Sequence, residues 1–212
     1  MKIGMVGIGL MGHGIATNLQ KHGHSLALFA HPGNQPLDAL LSGGAKTYSA
    51  LPELAANSEI IITVLTGSPQ VEAVVTGPNG VLEGAAKGSA IVDMSSISPV
   101  SAQKVGAACA AKGVEFLDAP VSGGEPRAID GSLAIMVGGE AALFACARPV
   151  LEAMSTTITH VGDAGAGHAV KALNNYVSAA GLLAVTEALS AAERFGIDPH
   201  LVNQVFNAST GK

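Results

Sequence analysis

The chain has 212 residues, of which 48% are hydrophobic, 13% charged and 3% aromatic, with a formal net charge of −5. That length holds one sizeable core, or one whole domain and part of a second. The composition excludes a disordered chain, and an acidic balance with no Lys/Arg cluster argues against a nucleic-acid partner.

Lys2–Val6 is a short apolar run, read as a strand. Gly7-Ile8-Gly9-Leu10-Met11-Gly12 follows it at once and opens an amphipathic helix over Gly12–His22. With 27 glycines in the chain, chance placement yields roughly 0.4 Gly-x-Gly-x-x-Gly patterns, so the pattern alone is weak. Its strand–turn–helix setting is what makes it a dinucleotide site. The first glycine permits the tight turn, the second lets the backbone approach a pyrophosphate, and the third lets helix and strand pack closely. The helix N-terminus then offers free N–H groups and positive dipole charge to the phosphates.

The second strand is read over Ser25–Phe29. A binder of NAD commonly places Asp or Glu near its end to hold the ribose 2′-OH. Here Ala30-His31-Pro32 follows, and the first acidic residue of the chain is Asp38. His31 is either a contact for a 2′-phosphate or a solvated loop residue. NADP(H) is therefore expected ahead of NAD(H), although no Arg precedes Arg127.

Further strands are predicted over Ile60–Leu65, Ala90–Asp93, Val114–Leu117, Leu133–Val137 and Thr157–Val161. The helices between are predicted over Pro36–Leu41, Pro69–Val75, Pro99–Lys112 and Ala141–Met154. Strands apolar on both faces and separated by helices imply an α/β fold, a Rossmann-type doubly wound, mostly parallel sheet covered on both sides. In such a sheet ligands bind outside the carboxyl ends of the strands. Leu65-Thr66-Gly67-Ser68, Asp93-Met94-Ser95-Ser96 and Asp118-Ala119-Pro120-Val121-Ser122-Gly123-Gly124 all fall at such ends, so one cleft is expected. Ser122, Gly123 and Gly124 form a loop of small residues that can hold a carboxylate or carbonyl oxygen, or else a plain turn.

From Ala166 to Phe195 there is no Pro, and the segment reads as one long helix, stopped at Gly196. It is apolar around most of its circumference, so something must cover it. A short helix over Pro199–Asn207 follows. The few residues left cannot cover the long one, which points to a longer gene product or to a partner chain. Lys171 and Asn175 lie four apart on the first turns of the long helix and share a face, with Asn174 beside them. Partial burial would lower the lysine's pKa and permit proton exchange, whereas an exposed Lys would merely snorkel. Cys109 and Cys146 form no CxxC pattern and are read as small buried residues, with no metal site expected. No apolar run is long enough to span a membrane and no signal peptide opens the chain, so a cytoplasmic setting is expected.

Three motifs, taken together, carry a resemblance over essentially the whole chain. They are Gly7-Ile-Gly9-Leu-Met11-Gly12, Asp118-Ala-Pro-Val-Ser122-Gly123-Gly124 and Gly165-Ala-Gly167-His-Ala-Val-Lys171-Ala-Leu-Asn174-Asn175. The chain resembles the β-hydroxyacid dehydrogenases, the group of 3-hydroxyisobutyrate dehydrogenase and tartronate semialdehyde (2-hydroxy-3-oxopropionate) reductase. It is also similar to the N-terminal part of 6-phosphogluconate dehydrogenase. The stretch Gly124–Gly131 looks closer to the tartronate semialdehyde reductases. Imine reductases share the fold but generally lack the lysine, and Lys171 counts against them.

The resemblance implies that Lys171 is the acid in carbonyl reduction and the base in alcohol oxidation. Asn175 and Asn174 would orient the substrate and Lys171, and Ser122, Gly123 and Gly124 would bind the substrate carboxylate. Ser96 would lie near the nicotinamide, and Leu65 and Thr66 would line the cofactor cleft. It implies a dinucleotide domain over 1–163, and over 164–212 a long interdomain helix with the start of an incomplete all-helical domain that usually dimerises. The expected activity is hydride transfer between NADP(H), or NAD(H), and a small 3-hydroxy acid or its semialdehyde. The alternative is a dinucleotide-binding module that does not turn over, or that needs the rest of its helical domain.

Overall fold

The computed structural model describes residues 1–211, and Lys212, the last residue of the second expected domain, lies outside them. The chain forms two compact units, divided between Lys171 and Ala172. The first holds nine strands: β1 (Lys2–Val6), β2 (Ser25–Phe29), β3 (Lys46–Tyr48), β4 (Ile60–Thr63), β5 (Ala90–Asp93), β6 (Glu115–Asp118), β7 (Val121–Ser122), β8 (Leu133–Gly138) and β9 (Ser155–Gly162). Between them run α1 (Leu10–Lys21), α2 (Asp38–Ser42), α3 (Leu51–Ala56), α4 (Ser68–Thr76), α5 (Val81–Gly84), α6 (Pro99–Ala111), α7 (Gly124–Asp130) and α8 (Ala141–Leu151). The helix α9 (Ala166–Arg194) begins in the first unit and continues through the second, which also contains α10 (Pro199–Ala208).

The sheet order is β3-β2-β1-β4-β5-β6-β8-β7, with β9 paired to β8. The ladders from β3 across to β6 are all parallel, as is β8 with β9. The order reverses between β1 and β4, the topological switch where such sheets bind ligands. Successive residues of one strand bury on opposite faces. Ile60, Ile62, Val92 and Leu117 join one core cluster, while Ile61, Ile91 and Phe116 join the other. This two-sided burial is why these strands read as unbroken apolar runs rather than as alternating ones.

Three differences from the sequence reading have physical causes. The strand β3, Lys-Thr-Tyr, is short, polar and mostly exposed at the sheet edge, so it gives no apolar signal. The loop expected after Asp118 contains the two-residue β7, antiparallel to β8, and β6 also meets β8 antiparallel. The next residues, Gly-Glu-Pro-Arg-Ala-Ile-Asp, form α7. Gly and Pro make that stretch look like a turn, yet a proline in the first turn has no N–H to lose there.

In the second unit, Leu173, Tyr176, Val177, Leu182, Leu183 and Phe195 are exposed. Cys146 is exposed as well, contrary to its reading as a buried residue, whereas Cys109 is fully enclosed. Burial pushes the Cys109 thiol up to about 12. Among the described residues no helix is long and apolar enough to cross a membrane.

Candidate active site

The turn after β1 occupies the switch between β1 and β4. Gly7 sits at φ +95°, and a Cβ there would run into the carbonyl oxygen of Val64. At this position only glycine combines the left-handed backbone with the close approach of β4. A Cβ on Gly9 would meet no protein atom within 4 Å. No packing demand explains that glycine, so it keeps space open beside the N-terminus of α1. Gly9 is also the N-cap of α1, and no side chain caps the helix there. Its free N–H groups therefore remain available to an anion. Ile8 is buried in the core, Met11 packs against it, and Leu10 is exposed.

A cleft of about 380 Å³ opens at this turn. It is lined by Val6–Gly9, by Phe29, His31, Gly33 and Asn34 after β2, by Val64, Leu65 and Thr66 after β4, and by Gln70 and Val74 of α4. None of these residues is acidic. The amide of Asn34 donates to the carbonyl of Phe29 at 2.8 Å, and Gln35 N–H donates to Ile8 O at 2.7 Å. These bonds tie the second strand's loop to the glycine turn. Gly33 N–H donates to Nδ1 of His31 at 3.0 Å. A nitrogen that accepts carries no proton, so Nε2 of His31 is left as a donor. Ala30 and His31 are exposed, and Ala30 is fixed by its N–H bond to Tyr48 O at 2.8 Å.

The ends of β5 and β6 hold the other polar segments, on the same carboxyl edge of the parallel sheet. Ser96 is exposed just past β5. Its neighbour Ser95 is buried, and the Ser95 hydroxyl accepts the Leu65 N–H at 2.9 Å, joining the β5 end to the cleft wall. Ser122 is half-buried on β7, opposite Ala134 of β8, and Gly123 and Gly124 are exposed at the start of α7.

Lys171, half-buried, stands on the second turn of α9. Burial lowers its pKa below the ordinary lysine value. Asn174 and Asn175 are exposed on the same continuous helix, in the second unit.

The sequence reading missed the residues that hold the start of α9. The carboxylate of Asp118, fully buried at the end of β6, accepts the N–H of Gly165 at 2.7 Å and that of His168 at 2.9 Å. Nδ1 of His168 lies 3.2 Å from Asp118 Oδ2, and its Nε2 lies 3.1 Å from Ser95 O and 3.5 Å from Asp93 Oδ2. Asp93 in turn accepts from the Thr63 hydroxyl at 2.7 Å and from Ser95 N–H at 3.2 Å. The one available signal was that both acids end apolar strands, where a buried charge needs a partner. Among the described residues no group of three or more His, Cys, Asp or Glu is arranged to hold a metal ion.

Residues 2–162 match the family described as the NAD binding domain of 6-phosphogluconate dehydrogenase. Residues 165–212 match that described as NAD-binding of NADP-dependent 3-hydroxyisobutyrate dehydrogenase. The whole chain is 40% identical to 70% of the 2-(hydroxymethyl)glutarate dehydrogenase of Eubacterium barkeri. Over 96% of its length it is 41% identical to 69% of the 2-hydroxy-3-oxopropionate reductase of Escherichia coli. A solved structure of Mycobacterium tuberculosis 3-hydroxyisobutyrate dehydrogenase with L-serine superposes with a TM-score of 0.91 at 36% identity, covering all of this chain and 71% of that one. The chain thus spans about 70% of the length of these relatives.

Proposed function

The chain belongs to the family of NAD(P)-dependent β-hydroxyacid dehydrogenases, and from that premise we propose that it interconverts a small 3-hydroxy acid and its semialdehyde, using NADP(H) in preference to NAD(H). The observation that carries the reading is a half-buried lysine, Lys171, on a helix anchored at the same sheet edge where the glycine turn opens. Two further observations support NADP(H): among the described residues no carboxylate lines the cleft to hold a ribose 2′-OH, and Nε2 of His31 is left as a donor beside it. Residues 1–163 then form the dinucleotide domain, and residues 164–212 the long helix and the start of a helical domain.

When bound, the nicotinamide supplies or takes the hydride. The protein does the rest. The α1 N-terminus and the turn Gly7–Gly12 hold the pyrophosphate, Ala30 and His31 meet the ribose, and Leu65, Thr66 and Ser96 line the path to the nicotinamide. Ser122, Gly123 and Gly124 bind the substrate carboxylate. Asn174 and Asn175 orient the substrate. Lys171 gives a proton from Nζ to the carbonyl oxygen during reduction, and takes the hydroxyl proton during oxidation. The substrate class follows the names of the relatives, whose shared feature is an oxygen at the β carbon of a carboxylic acid. A homo-oligomer through the helical second unit is part of this reading, supported by its exposed apolar residues. So is a cytoplasmic setting, in keeping with two free thiols.

The test is a titration of NADPH and NADH into the wild type and Lys171→Ala, followed by assays with tartronate semialdehyde and 3-hydroxyisobutyrate. Lys171→Ala should lose about 10²–10⁴-fold in turnover, the usual worth of a positioned proton donor, and keep its NADPH affinity. Unchanged turnover removes Lys171 from the chemistry. Binding with no turnover by the wild type makes the chain a dinucleotide-binding module.

A further inference from the structure

Asp93, Asp118 and His168 are fully buried, at 0%, 0% and 1% exposure, and none of them is required by the chemistry proposed above. Two carboxylates and an imidazole are costly to take out of water unless they are paired and hydrogen-bonded. Their arrangement shows what the burial achieves.

Asp118 caps α9 from a distance in sequence. Its two oxygens take the N–H groups of Gly165 and His168, which the helix itself leaves free. Its negative charge lies at the positive end of the helix dipole. A cap alone would let α9 roll about its axis. The His168 ring adds contacts off the helix axis, its two nitrogens reaching oxygen atoms on different strands: Asp118 on β6, and Ser95 and Asp93 at the end of β5. Each ring nitrogen thus faces oxygen atoms of a different strand end. Asp93 Oδ2 makes no hydrogen bond within 3.5 Å among the described residues, and the atom nearest to pairing with it is His168 Nε2. Gly167 completes the close approach, since a Cβ there would collide with the carbonyl oxygens of Met136 and Asp118.

Lys171 follows His168 by three residues, just under one helical turn, or about 4.5 Å along the axis. A slip of α9 by one residue would carry its amine about 100° around the helix. Asp118 is also the fourth residue before Ser122 on one continuous chain. The residue whose carboxylate holds the start of the lysine helix is therefore close in sequence to Ser122.

We propose that Asp93, His168 and Asp118 act as a buried clamp in which His168 is the positioning residue for Lys171, fixing the rotation of α9 against the ends of β5 and β6. The inference rests on the role given to Lys171 above, and its test does not use turnover. The lysines are dimethylated with ¹³C-formaldehyde, the Lys171 signal is assigned with Lys171→Arg, and its titration is followed by NMR in the wild type and in His168→Asn. In the wild type Lys171 should titrate below the other lysines, held there by its burial. In His168→Asn it should move up to join them while the circular dichroism stays that of the folded chain. Should His168→Asn fail to fold, Asp93→Asn keeps the Asp118 cap and removes only the carboxylate facing Nε2. It should move Lys171 in the same direction by a smaller amount. A folded variant whose Lys171 signal titrates as in the wild type overturns the proposal, because the clamp would then serve stability alone. A wild-type Lys171 that titrates with the other lysines overturns it too. An inactive wild type, or an active Lys171→Ala, instead overturns the catalytic reading and leaves the NMR result to stand or fall by itself.

Discussion

At the residue scale the sequence was most legible where one side chain, or its absence, has one physical use. Gly7 could be read as a turn glycine because its positive φ and the crowding by Val64 admit nothing else. For Lys171 the sequence left partial burial and an exposed, snorkelling side chain open, with Gly165-x-Gly167 before it favouring a use, and the structure makes it half-buried. The clamp beneath it was illegible, because its members lie 50 residues apart, Asp118 to His168, and 73 apart, Ser95 to His168. No local pattern links residues so distant. The lowered pKa of Lys171 leads to a pH prediction. In the role proposed for Lys171, reduction uses the protonated amine, so its kcat/KM should fall as pH rises through the Lys171 value. Oxidation uses the neutral amine and should rise through the same point. Both inflections should lie below about 10.4, the ordinary lysine value. Stability follows the same group: between the folded and ordinary values the unfolded chain holds more protons, so Lys171's contribution to stability increases with pH across that window. Inflections for both directions at or above the ordinary lysine value would contradict the burial of the reacting amine.

At the element scale, strands buried on both faces were read to within about two residues, and β1, β2 and β5 to the residue. The elements missed, β3, β7, α3, α5 and α7, span two to seven residues. They are too short for a period to show, and long-range pairing rather than local propensity makes them. The helix α7 begins at Gly124, the last residue of the loop proposed to bind the substrate carboxylate. It is held by Asn18 of α1, whose buried amide reaches Ala128 O at 2.8 Å and Ile129 O at 3.2 Å. The helix α1 thus also braces the element behind Ser122-Gly123-Gly124. Asn18→Leu would leave the Ala128 carbonyl buried without its donor, which costs about 1–3 kcal/mol. The chemical denaturation midpoint should fall accordingly. The KM for the hydroxy acid should rise several-fold while NADPH affinity stays within about twofold, since Asn18 touches α7 and not the cofactor cleft. A variant as stable as the wild type would mean that α7 is held by its apolar contacts alone.

At the scale of the whole molecule, alternating strands and helices were enough to place the chain among doubly wound α/β folds, and the sheet order with its switch between β1 and β4 agrees. The antiparallel edge could not be read, because nothing in the residues of β8 distinguishes a strand entering from one end of the sheet from a strand entering from the other. The division into units does bear on how ligand binding should couple to folding. Every residue lining the cofactor cleft lies before Lys171, within the first unit, and Lys171 is not among them. A ligand held there stabilises the unit that contains the entire sheet, by about 2.7 kcal/mol at a hundred times its dissociation constant. For a chain of this size that corresponds to about 5–10 °C in the unfolding temperature. Scanning calorimetry should therefore show NADPH raising the midpoint of the sheet unit in the wild type and, by the same amount, in Lys171→Ala. NADH should need a higher concentration for an equal rise, because the cleft offers the His31 donor to a 2′-phosphate and no carboxylate to a 2′-OH. A midpoint unmoved by either dinucleotide would count against the glycine turn as a pyrophosphate site. A rise lost in Lys171→Ala would place the lysine in cofactor binding rather than in proton transfer.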